Sequence, residues 1–179
     1  KGDIIFNADQ TKELIKYALI FLALVLSQVV VFNHICLFGM AIPLVFIYFI
    51  IKLPITLGVN WLMTLSFFLG LTIDIFANTQ GMNAMACTVL AVLRNPVLHL
   101  YFPRQDDLTN PIPSVHTLGL PVFMKYAGTM VVIYCALFFA IEAFTFFNPL
   151  RLALRIMASS VLTFIIILAF EGFSSPSRK

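Results

Sequence analysis

Charge is scarce in this sequence. Asp, Glu, Lys and Arg supply 11% of its 179 residues, where a soluble domain carries about 25%. Cysteine occurs three times and tryptophan once. Cys36, Cys87 and Cys135 are dispersed through apolar stretches, so they read as small packing residues and not as a disulfide framework or metal site. No glycine-rich phosphate loop, HExxH, CxxC or GxSxG motif is present. His34, His99 and His116 lie on separate segments, and no two residues pair as nucleophile and base. No catalytic, cofactor-binding or metal-binding set is expected, and nucleic acid is not an expected partner.

What the chain does have is apolar length: 61% of its residues are hydrophobic. A membrane span needs about 20 mostly apolar residues. Six such runs are legible, at about 14–32, 35–51, 55–76, 81–102, 122–147 and 150–170. They predict an all-α membrane protein with six transmembrane helices in one compact bundle, residues 1–179 forming a single integral membrane domain. The first run lacks a small-x-small cleavage site and is followed by further spans, so it is expected to be a true helix. The proline-rich stretch 103–121 is expected to be irregular, and Pro96 to kink or end the fourth helix.

The basic residues are unevenly placed. Nine of them (Lys1, Lys12, Lys16, Lys52, Arg94, Arg104, Lys125, Arg178 and Lys179) fall on the side shared by the termini, and Arg151 and Arg155 fall on the other. The positive-inside bias then puts both termini in the cytoplasm.

Ionisable residues at membrane depth cost about 2.5–3.5 kcal/mol each on insertion scales, so they normally face protein. Here they are Asp74, Arg94, Glu142, Arg151 and Arg155. Asp74, Glu142, Arg151 and Arg155 fall near one depth, which suggests mutual neutralisation or contact with a partner. Arg151, Arg155, Ser159 and Thr163 recur every four residues along one helix face, as do Ser66, Gly70 and Asp74 on another. Asn83 and Arg94 share a side of the fourth helix. Between the third and fourth helices, Asn78 and Gly81 suit a tight or left-handed turn. Either Asn83 or Asp74 can satisfy the first N–H groups of the fourth helix.

The stretch FFLGLTIDIFANTQGMNAMACTVLAVLR resembles the signature of the rod shape-determining MreD family, at Gly70, Asp74, Gly81 and Asn83. NHICLFG, IYFIIKLP, FPRQDD and EAFTFF resemble Bacteroidetes-type members, so the likeness covers essentially the whole chain. Gln80 departs, standing where many members carry Leu or Pro. The resemblance implies a non-enzymatic inner-membrane component of the machinery that elongates the bacterial side wall. Its partners would be MreC, a single-span protein, and through it MreB filaments, the glycosyltransferase RodA and its transpeptidase, with lipid around it. It also implies a fold similar to the six-helix S components of energy-coupling-factor transporters. A second reading follows from that fold: a binder of a small vitamin or solute, with an outward pocket bordered by Asn83, Glu142 and Arg151.

Overall fold

The computed structural model describes residues 8–30, 42–79, 81–102, 112–143 and 149–174. These form seven helical segments: α1 Ala8–Val30, α2 Ile47–Lys52, α3 Val59–Ala77, α4 Met82–Tyr101, α5 Val115–Leu118, α6 Leu120–Glu142 and α7 Pro149–Ser174. No strand occurs among the described residues. Four of the helices, α3, α4, α6 and α7, are long and apolar enough to cross a membrane. The apolar part of α1, Tyr17–Val30, is shorter.

α4 and α6 run antiparallel through the centre: Asn83 meets Tyr134 and Tyr101 meets Thr129. α3 packs against α4, and α7 against α6 with Arg155 beside Glu142. Buried Leu90, Ala91, Tyr126, Met130 and Tyr134 fill the contact between the central pair. Burial of this kind is worth about 25 cal/mol per Å² of apolar surface in water, whereas in lipid close packing and hydrogen bonds carry more of the association.

The second apolar run differs most from expectation. Residues 35–41 lie outside the described residues, 42–46 are not helical, and α2 has only six residues. At 1.5 Å per residue it rises about 9 Å, far short of a span. Pro43 explains part of this, because it lacks an N–H and disfavours helix at Ile42. Side chains from two other helices supply the rest. Ile42 N–H donates to Ser159 Oγ (3.1 Å), Leu44 N–H to Thr163 Oγ1 (3.0 Å) and Val45 N–H to Gln28 Oε1 (2.9 Å). Gln28 Nε2 donates back to the Pro43 carbonyl at 2.9 Å. Residues 43–51 are all buried, which is where non-helical backbone is tolerated in a membrane protein.

Other boundaries shift by a few residues. α3 starts at Val59 because the chain turns over Pro54–Leu57. α4 runs through Pro96 to Tyr101, so that proline does not end it. Within 103–121, Ser114 caps a four-residue helix by accepting from Thr117 N–H. α6 stops at Glu142, and residues 144–148 lie outside the described residues.

Candidate functional site

The expected charge cluster is divided among separate places. Among the described residues, Asp74 reaches no arginine. It sits in the last turn of α3, is 4% exposed, and turns its carboxylate across the hairpin to α4. Oδ1 accepts from Asn83 N–H at 3.1 Å, from Asn83 Nδ2 at 2.9 Å and from the Thr79 hydroxyl. Oδ2 accepts from Ala84 N–H at 2.8 Å. Asp74, and not Asn83, therefore satisfies the first N–H groups of α4, where the helix dipole favours negative charge. Asn83 is held from behind, its Oδ1 accepting from the Tyr134 hydroxyl at 2.6 Å.

The hairpin geometry follows from the residues that permit it. Asn78 and Gly81 have φ of 54° and 76°, the left-handed region that closes the turn. Gly70 lies against α4 so closely that a Cβ there would stand 2.5 Å from both Ala84 Cα and the Asn83 carbonyl. Gly70, Asp74, Gly81 and Asn83 thus form one clamp between two helices.

Glu142 pairs with Arg155 at 3.2 Å, their side chains 34% and 28% exposed. The Arg155 guanidinium also lies over the Phe139 ring. Arg151 is exposed on the first turn of α7. Arg94 is wholly buried toward the other end of α4 and donates from Nη2 to the Leu53 carbonyl. The face carrying Ser159 and Thr163 holds the backbone at Ile42 and Leu44.

Two polar contributors escaped the sequence reading. Gln28 grips residues 43 and 45 with both ends of its amide. Glu171, 5% exposed in α7, accepts from Tyr48 Oη at 2.7 Å, from Lys52 Nζ at 2.8 Å and from Val115 N–H at 3.0 Å. That knot ties α2, α5 and α7 together. A signal for it existed: Tyr48 and Lys52 are four apart on one helix face, and Glu171 follows directly on the last apolar run.

Among the described residues, no three His, Cys, Asp or Glu side chains group as a metal site, and Cys87 and Cys135 are buried and unbridged. Cys36 lies outside the described residues. A cleft of about 380 Å³ opens beside the clamp, with Gln28, Thr79 and Asn83 in its wall. Glu142 and Arg151 do not line it.

The described residues define an all-helical protein with four helices fit to cross a membrane, its buried carboxylates Asp74 and Glu171 held in contacts between helices. Comparison with protein-family models, curated proteins and solved structures finds no match to this chain.

Proposed function

We propose that this chain is a non-enzymatic scaffold of the bacterial inner membrane, of the MreD type. It binds an MreC-like single-span protein and so links MreB filaments to RodA and its transpeptidase during side-wall synthesis. The observation that carries this reading is the clamp. The residues of the family resemblance, Gly70, Asp74, Gly81 and Asn83, are all engaged in fixing α3 against α4. A motif spent on helix geometry suits a protein that works by presenting a fixed surface. Six crossings belong to the same proposal, the second including the buried 42–46 backbone and short α2 in place of a full helix, together with an S-component-like fold and both termini cytoplasmic. The direction of α1 and α7 fits that orientation, since Tyr17 in the first half of α1 and Phe170 near the end of α7 line one cleft with Lys52, and Glu171 bonds to it.

The cleft beside the clamp favours the second reading, a binder of a small solute for an ATP-driven transporter. Against it, the polar atoms of Gln28, Thr79 and Asn83 are directed to protein partners. A tagged pull-down from native membranes in mild detergent separates the two. Recovery of an MreC-like protein with wall synthases is the expected result. Recovery of a paired ATPase and a coupling subunit would overturn the scaffold.

A further inference from the structure

Arg151 and Arg155 stand where helix electrostatics do not favour them. They occupy the first two turns of α7, which has no acid in its first turn, although cations are stabilised at the other end of a helix dipole. Under the proposed orientation they are also basic residues on the outer side, against the positive-inside bias. Arg155 has Glu142 as its counter-charge. Arg151 is exposed and makes no hydrogen bond or ion pair among the described residues.

The chain offers Arg151 no acid at this end of the bundle. The connections 31–41, 77–81 and 143–149 contain neither Asp nor Glu. Asp74 faces the first N–H groups of α4, which balance its charge. Arg151 also sits at the edge of the apolar zone, because the next turn of α7 already exposes Leu154 at 53%. The anions that a membrane holds at that depth are lipid phosphates.

Inward from Arg151, Leu154, Ala158, Val161 and Ile165 form one exposed apolar stripe, at i, i+4, i+7 and i+11. At 1.5 Å per residue the stripe is about 16 Å long. One leaflet of a hydrocarbon core of roughly 30 Å is about 15 Å deep. An unpaired cation at the boundary, with one leaflet's depth of apolar surface beside it, matches a phospholipid in both charge and length.

We propose that Arg151 anchors the headgroup of an anionic phospholipid in the leaflet at the Asp74 end, with one acyl chain lying along the Leu154–Ile165 stripe. The phosphodiester accepts from the guanidinium, whose planar fork suits two phosphate oxygens. A headgroup with its own ammonium carries no net charge for Arg151 to attract, so a net-negative headgroup binds more tightly. The inference needs α7 to cross the membrane and does not depend on the scaffold reading.

The test uses the full chain in phospholipid nanodiscs doped with one of two photoactivatable lipids. These are a phosphatidylglycerol and a phosphatidylcholine bearing the same diazirine acyl chain, and adducts are located by peptide mass spectrometry. Labelling between Leu154 and Ile165 is expected to be about fivefold or more stronger with the anionic lipid. Arg151→Gln should erase that excess, whereas Lys125→Gln, which removes an exposed cation at the opposite end, should leave it. Equal labelling by the two lipids, or an excess that survives Arg151→Gln, would overturn the proposal. So would an α7 left unlabelled in native membranes together with an Arg151-dependent crosslink to a single-span protein, since a partner helix would then cover the stripe. If Arg151→Gln does not fold, the comparison of the two lipids on the unaltered chain decides alone.

Discussion

Asp74 illustrates how a carboxylate persists in an apolar chain. Its oxygens accept four hydrogen bonds, two of them from backbone N–H groups at the start of α4. Asp74→Asn replaces one acceptor by an amide that turns its own N–H groups toward donors. Each buried donor orphaned costs about 1–3 kcal/mol, so a loss of about 2–4 kcal/mol is expected, read as a lower unfolding midpoint in detergent. Gly70→Ala acts through space instead. Its Cβ would meet backbone atoms at 2.5 Å, which no rotamer change relieves. Overpacking costs about 1–3 kcal/mol and here should lie at the upper end or beyond. Glu142→Ala is the contrasting case: the pair it breaks is partly exposed, and Arg155 retains its ring contact. Under about 1 kcal/mol is expected. At this scale the sequence revealed much, because Gly70, Asp74 and Asn83 announce themselves by spacing around a turn. The partners of Arg94 and Lys52 stayed hidden, since periodicity fixes a helix face and not what lies opposite it.

The elements divide by the same logic. α3, α4, α6 and α7 are long apolar runs bounded by turn residues, and length alone locates them to within a few positions. The chain around Pro43 could not be read this way. An apolar run gives one signal whether it is a buried helix or a buried extended segment. Only partners distant in sequence, Gln28, Ser159 and Thr163, distinguish the two. Gln28→Leu tests their role. It strands the Val45 N–H and the Pro43 carbonyl, at about 2–5 kcal/mol for the two together. Hydrogen exchange confined to residues 44–46 should rise well before the chain unfolds as a whole. At the other end of α2, Glu171→Gln leaves Lys52 without its counter-charge, and about 3–5 kcal/mol of destabilisation is expected. Adding Lys52→Met should recover a large part of that loss, because the apolar replacement carries no buried charge. A double variant as unstable as the sum of the singles would show that the pair is not coupled.

At the scale of the molecule, the clamps sit at opposite ends. The Asp74 clamp closes the end where α3 turns into α4 and α6 precedes α7; the Glu171 knot closes the end where α2 stops and α7 finishes. A bundle tied at both ends keeps a fixed outer surface, which is what a scaffold for another membrane helix requires. The arrangement makes a topological prediction. Leu150, 75% exposed at the start of α7, belongs to the Asp74 end, and Thr56, exposed in the turn before α3, to the Lys52 end. The proposed orientation has the Lys52 end in the cytoplasm. In a Cys36→Ser, Cys87→Ala, Cys135→Ala background, Leu150→Cys should react with a membrane-impermeant maleimide in intact spheroplasts. Thr56→Cys should react only after permeabilisation. The reversed pattern would invert the orientation while leaving the fold intact. Labelling of both from outside would mean that the two clamps do not close opposite faces of one bilayer, and the proposed scaffold would lose its geometry.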